Sequence, residues 1–131
     1  MQTRSQQVSK LVFEQIASLD LPEDKKKSYG SLCHNFPVMV LRSGLSQAVA
    51  FVLVKSKENN DSPYGKFLSH LSTLTNGTNN ETPQQFQERI NALPLAEYQR
   101  LTRIILMGSI WYKRFAESLL GVEAGNDEGE D

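Results

Sequence analysis

Apolar residues recur at intervals of three and four along most of this sequence, and nowhere do they alternate with polar residues over a sustained stretch. Near the start, for example, Val8, Val12 and Ile16 fall on one side of a helix that turns about 100° per residue. Thr3 and Gln6 precede them with the spacing of a capping box. The pattern predicts an all-α fold, a compact single-domain bundle of about six helices.

Prolines and glycines divide this helical pattern into segments. A second helix is expected to start at Pro22 and to reach Phe36. Pro37 must then kink or interrupt the helix, because proline cannot donate a hydrogen bond to the preceding turn. The apolar face continues to Gly44, which stands where a helix end favours a left-handed residue.

The third segment, from Leu45 to about Lys57, fits two interpretations. Residues 48–54 are all apolar, and the valines among them would also suit a buried strand. We expect a helix, because the neighbouring segments are helical and no partner strand is visible in the sequence.

Later helix starts follow recognisable capping patterns. Ser62 and Thr82 each stand directly before a proline, an arrangement typical of an N-cap followed by the first helical residue. The polar stretch 75–81 between them is expected to be a loop. A long last helix is predicted from Pro94 to Leu120.

Composition and charge indicate a globular domain followed by an acidic tail. Hydrophobic residues make up 39% of the chain and charged residues 22%, as in ordinary soluble domains. Residues 121–131 contain five acidic residues and no basic ones, so residues 1–120 carry 14 basic against 10 acidic side chains. We therefore expect a helical domain over 1–120 and a disordered acidic tail over 121–131, which either aids solubility or competes with nucleic acid for the basic body.

The sequence favours a cytoplasmic, non-enzymatic protein. No apolar run is long enough to span a membrane, and the single cysteine, Cys33, excludes an internal disulfide. Adjacent residues of a helix diverge by about 100°, so Cys33 and His34 cannot form a nucleophile–base pair. Together with His70 they fit no metal-ligand spacing. We expect no catalytic residues, no metal and no cofactor.

The last helix carries a basic stripe. When its residues are turned by about 100° each, Arg100, Arg103 and Arg114 share a side away from the apolar face, and Lys113 lies on the flank. Guanidinium groups bind phosphate oxygens well, so the stripe suits a nucleic-acid backbone. A merely solvated helix face remains the alternative at this point.

Other basic residues are weaker candidates for the same surface. They are Lys25, Lys26 and Lys27 in one run, and Arg42 and Lys55, which flank the apolar third segment. Among the aromatic residues, Phe51 and Phe115 are predicted to lie in the core, and Trp111 in the core or an interface rather than in a base-stacking platform.

Two stretches of this chain resemble the small subunit of the Cmr complex, the type III-B CRISPR effector. The first comprises Tyr29, Phe36, Pro37, Ser43, Gly44, Leu45, Gln47, Ala48 and Phe51. The second comprises Tyr98, Leu101, Thr102, Trp111, Tyr112, Lys113, Arg114, Phe115 and Ala116. The resemblance covers roughly residues 8–120.

The resemblance implies a non-catalytic structural subunit in RNA-guided antiviral defence. Such subunits are helical bundles that stack in a short filament, and their positive face follows the guide–target duplex. The implied partners are other Cmr subunits, further copies of the chain, guide RNA and single-stranded target RNA, with no membrane and no small-molecule substrate. A helical protein–protein adaptor without direct nucleic-acid contact remains the alternative.

Overall fold

The computed structural model describes residues 1–76 and 81–125, and all regular structure within these ranges is helical. The helices are α1 (Arg4–Ala17), α2 (Glu23–Ser43), α3 (Leu45–Ser56), α4 (Pro63–Asn76), α5 (Pro83–Asn91) and α6 (Leu95–Leu120). The predicted all-α fold is confirmed, and the apolar third segment is a helix, not a strand.

Two of the helices begin with complete capping boxes. The Thr3 hydroxyl accepts from the backbone N–H of Gln6 at 3.0 Å, and the Gln6 side chain accepts from the backbone N–H of Thr3 at 2.7 Å. Thr82 and Gln85 repeat the arrangement at the start of α5. Each pair satisfies backbone donors that the first turn of a helix leaves without partners.

Helix α2 continues through Pro37. The proline therefore does not interrupt the helix, which was one of the two effects expected of it. Phe36 and Val40, on either side of the proline, are both buried, so core packing offsets the lost backbone hydrogen bond. The helix ends at Gly44, whose φ of 89° is positive as expected, although its ψ of 159° is extended rather than left-handed. This geometry leads the chain directly into α3.

Helix α4 is longer than the sequence indicated. It runs to Asn76, so Thr75 is helical and not part of a loop. Residues 77–80 of the predicted loop lie outside the described residues, and Glu81 at its end is not helical, as predicted.

The ring of Phe67 lies at the centre of the core. It packs edge-on against Tyr29 and Phe36 of α2 and Tyr112 of α6, with ring centroids 5.7, 5.2 and 5.7 Å away. Because Phe67 belongs to α4, this aromatic cluster joins three helices. Aromatic pairs in this geometry stabilise a core beyond their buried area alone.

A buried polar network joins four helices beside this cluster. Tyr112 of α6 donates to the side chain of Gln15 on α1, and Gln15 donates to the backbone carbonyl of His70 on α4 at 3.1 Å. The Tyr29 hydroxyl of α2 lies 2.6 Å from Nδ1 of His70. Burial lowers the pKa of His70 from 6.5 to about 4, with a smaller effect from Lys66, so the imidazole stays neutral at pH 7.

Two core predictions were wrong in detail. Phe51 is 53% exposed, because α3 buries Ala48, Val49 and Val52 and therefore turns Phe51 toward the solvent. Phe115 is only half-buried, at the junction of α1 and α6. In a wholly apolar segment such as 48–54, the sequence contains no polar residues to indicate which side faces outward.

Helix α6 lies between α1 and α2 on one side of the bundle. Helix α1 runs parallel to α6, because Arg4 lies near Ile104 and Phe13 meets Phe115. Helix α2 runs antiparallel to α6. Just after the end of α2, the backbone N–H of Ser46 donates to the hydroxyl of Tyr98, near the start of α6, at 2.9 Å. Earlier in α2, His34 contacts Val122, which follows the end of α6. The side of α6 between its two neighbours faces the solvent.

Helix α6 ends at Gly121 as predicted, in a left-handed conformation with φ 71° and ψ 23°. The predicted acidic tail starts at this residue, and the structure describes its first part, 121–125. Within that part Val122 is packed against the body, with an exposed fraction of 1%. Residues 126–131, on which the expectation of disorder also rests, lie outside the described residues.

Candidate nucleic-acid interface

Three arginines occupy the solvent-facing side of α6. Arg100, Arg103 and Arg114 are exposed, whereas Leu101 and Ile105 on the opposite side are buried. With a rise of about 1.5 Å per residue, the arginines extend over roughly 21 Å of the helix. None of the three forms an ion pair with another described residue. We call Arg100, Arg103 and Arg114 the basic ridge.

Lys113 lies on the α2 side of the ridge. It is exposed, and it lines a shallow groove of about 280 Å³ together with Arg114 and with His34 of α2. Glu117 also lines this groove, so its electrostatic character is mixed. The groove widens the charged surface from α6 toward α2.

The basic residues of α2 lie near the two ends of α6, because the two helices are antiparallel. Arg42 is exposed near the start of α6, and the lysine run 25–27 lies toward its end. Lys25 and Lys27 are exposed, but Lys26 is half-buried, as expected for adjacent residues that point about 100° apart. The lysine run therefore does not form one continuous patch.

The structure does not bring Lys55 to the basic ridge. It belongs to α3, which packs against α2, α4 and α5, whereas α6 packs chiefly against α1, α2 and α4. The Lys55 ammonium lies 5.8 Å from the ring centre of Phe51 and 5.6 Å from that of Tyr64. These cation–π contacts hold the side chain on the other side of the bundle.

An aromatic groove adjoins the ridge on its α1 side. Trp111 stacks on Phe115 with centroids 5.8 Å apart, and Phe13 of α1 meets Phe115 edge-on at 5.4 Å. Trp111 is half-buried and Phe13 is 44% exposed, so the rings are accessible. Sequence reasoning missed Phe13, although its position about 100° around α1 from the middle of the Val8–Val12–Ile16 stripe was a signal that it lies at the edge of the buried face.

The buried cysteine and histidines do not form a reactive centre. Cys33 is fully buried, and burial raises the pKa of its thiol far above its usual value, which keeps it protonated and unreactive. His34 bonds the backbone carbonyl of Val122, and His70 belongs to the buried network with Tyr29. Each of these groups therefore has a packing or hydrogen-bonding role in the fold.

Neither a metal site nor a membrane span is found in the described parts of the chain. Residues 1–76 and 81–125 contain no cluster of three or more His, Cys, Asp or Glu side chains that could hold a metal ion. Among the helices within the same ranges, none combines the length and the apolar character that a membrane span requires.

The fold and surface define a small all-helical protein whose most distinctive described feature is an exposed basic helix face. The chain belongs to the Cas_Cmr5 family of CRISPR-associated proteins, whose family model matches residues 4–119. This membership confirms the family to which the sequence resemblance pointed.

A named relative and a crystal structure, both from Thermus thermophilus, agree with this assignment. A protein named CRISPR system Cmr subunit Cmr5 is 31% identical over 120 residues, which cover 92% of this chain and 98% of the relative. The crystal structure of a CRISPR-associated Cmr5 family protein matches with a TM-score of 0.75 at 30% identity, covering 91% of this chain and 98% of the other. The likeness therefore extends over nearly the whole fold.

Proposed function

We propose that this chain is a non-catalytic structural subunit of a type III-B CRISPR (Cmr) complex and that it contacts guide–target RNA through the basic ridge. Its partners would be other Cmr subunits, further copies of itself stacked in a short filament, guide RNA and single-stranded target RNA, in cytoplasmic antiviral defence. Family membership and the name of the Thermus relative support the complex. The RNA contact rests on the surface of α6.

The basic ridge is the observation that carries the proposal. Its three guanidinium groups are exposed, lie along one line of α6 and have no acidic partner among the described residues. Arginines arranged in this way suit the repeating charges of a phosphate backbone. Such contacts position an RNA strand without reading its bases, which is what a subunit serving many guide sequences requires.

A protein–protein adaptor is the second candidate, and exposed apolar side chains favour it. Leu41 of α2 is 75% exposed, and Val54 and Phe51 of α3 are 76% and 53% exposed. Large apolar groups at the surface are typical of interfaces. In this alternative the arginines would bind acidic residues of a neighbouring subunit instead of RNA.

A charge-matched pair of variants separates the two candidates. The test variant carries Arg103→Gln and Arg114→Gln, and the control carries Lys57→Gln and Lys66→Gln, which remove the same charge from the end of α3 and from α4 instead of from α6. Each variant is assembled with the other Cmr subunits, and the affinity for several unrelated target RNAs is measured.

The RNA proposal predicts that the test variant assembles normally and loses affinity equally for all sequences, whereas the control binds like the wild type. The adaptor candidate predicts that the test variant fails to assemble. Equal affinities of the test variant and the control would contradict a specific role of the ridge, because general charge would then account for the binding.

A further inference from the structure

The chain reverses direction after α6 instead of leaving the body. Gly121 takes a left-handed conformation, and the backbone N–H of Val122 donates back to the carbonyl of Ala116 at 3.0 Å. The Val122 side chain is buried against Gly30 of α2. The fit is close, because a Cβ atom at position 30 would lie 2.7 Å from Val122.

His34 also holds the segment around Val122, through a hydrogen bond. Its Nε2 lies 2.9 Å from the backbone carbonyl oxygen of Val122, and since a carbonyl only accepts, Nε2 carries the hydrogen and donates. The imidazole is itself buried, with an exposed fraction of 7%. Packing and a buried hydrogen bond thus define the direction in which the chain continues.

That direction leads to the basic side of α6. Two residues beyond Val122, Ala124 lines the groove that contains Lys113 and Arg114. Ile110 lines the same groove, although it lies ten residues before the end of α6, so the chain runs back along the helix. Ala124, near the end of the described part of the chain, therefore lies beside Lys113 and Arg114.

Charge and length both suit this surface. The segment 126–131 contains four acidic residues and no basic one. Six extended residues reach about 20 Å, and the distance along α6 from Arg114 back to Arg103 is roughly 16 Å. The acidic side chains can thus reach Lys113, Arg114 and the middle of the ridge.

We propose that the acidic segment 126–131 binds the chain's own Lys113 and Arg114 and competes there with RNA. The competition rests on the proposed function, whereas the binding of the segment to the body does not. A strand of target RNA would displace the segment, because its phosphates offer more negative charge over a longer path. The segment would weaken contacts with short or partly paired RNA most strongly.

Binding of the segment is tested by cross-linking, without RNA. A zero-length carbodiimide reagent joins carboxylates to amines that are in contact. Trypsin then yields a product in which the peptide 104–114, with Lys113 protected from cleavage, is joined to the peptide 115–131. Because Glu117 and Glu123 lie in the second peptide too, the control is a tail-neutral variant carrying Asp127→Asn, Glu128→Gln, Glu130→Gln and Asp131→Asn.

We expect the wild-type chain to give more of this product than the tail-neutral variant, with fragments that place the link at residues 127–131. High salt should remove the excess, because the contacts are exposed ion pairs. Links from residues 127–131 to Lys57, on the other side of the bundle, should be rare. Equal yields in both variants, or equal linking to Lys57, would overturn the proposal.

Competition is tested by RNA binding of the full-length chain. At low salt the tail-neutral variant should bind labelled single-stranded RNA about three- to tenfold more tightly than the wild type, the effect expected of a few exposed ion pairs. The gain should disappear when Lys113→Ala and Arg114→Ala are added to both proteins.

The outcomes distinguish this inference from the proposed function. Equal RNA affinities of wild type and tail-neutral variant would overturn the competition while leaving RNA binding itself supported. If neither isolated protein binds RNA, the competition fails. The proposed function is then decided by the assembled complex, and the cross-link to Lys113 decides whether the segment binds the body.

Discussion

Replacing Gly30 by alanine should destabilise the full-length chain, although alanine is the better helix former. The added Cβ would lie 2.7 Å from both Cβ and Cγ2 of Val122, so the valine has to leave its site. Loss of its burial costs about 2 kcal/mol, and loss of the His34 hydrogen bond costs about 1 kcal/mol. The helix propensity of alanine returns up to about 1 kcal/mol, which leaves a net loss of ~2 kcal/mol.

The sign of the effect should reverse when residues 122–131 are removed. In the shortened chain the clash is absent, and Gly30→Ala should stabilise α2 by up to about 1 kcal/mol. Gly108→Ala in α6 is the matched control, because its Cβ meets only the flexible end of Leu74 at 2.7 Å and should change stability by less than about 1 kcal/mol. Urea unfolding followed by circular dichroism measures all of these variants. An equal loss from Gly30→Ala in both chain lengths would refute the reasoning, since Val122 would then not be responsible.

Two further predictions concern the core and its titration. Phe67→Ala should lower the free energy of unfolding by about 3–5 kcal/mol, whereas Phe51→Ala should lower it by less than about 1 kcal/mol, because only Phe67 is buried. Similar losses for both variants in urea unfolding would contradict the buried faces assigned to α3 and α4. His70, whose pKa is lowered from 6.5 to about 4, binds its proton more readily in the unfolded chain, so its contribution is complete above pH 6.5 and is lost as the pH falls toward 4. The loss should reach up to about 3 kcal/mol and should be absent in His70→Asn, as measured by urea unfolding across this pH range; a parallel pH dependence in both proteins would exclude His70 as its source.

The helices were predictable from the sequence because their signals are local. The capping pairs Thr3–Gln6 and Thr82–Gln85 lie within one turn, and the polar residues of α6 mark its outer face, so the positions of the three ridge arginines follow from helical periodicity. Periodicity fails where every residue is apolar. For this reason the exposed side of α3, including Phe51, could not be identified.

Other parts of the site depend on contacts between distant segments. His34 and Val122 are 88 positions apart, and neither position alone indicates that the two meet. The aromatic groove likewise requires α1 to run beside α6 so that Phe13 reaches Phe115. The sequence also could not show that Lys55 lies on a different side from the ridge, because this depends on the packing of α3.

The salt dependence of RNA binding tests the central claim most directly. The logarithm of the binding constant is measured against the logarithm of salt concentration for the assembled complex, with wild-type subunit and with Arg100→Ala, Arg103→Ala and Arg114→Ala combined. If each arginine contacts a phosphate, the slope per subunit copy should become shallower by about 2 to 3 units, with the stability of the fold nearly unchanged. An unchanged slope and affinity in a normally assembled complex would contradict the account and leave the basic ridge as a solvated surface.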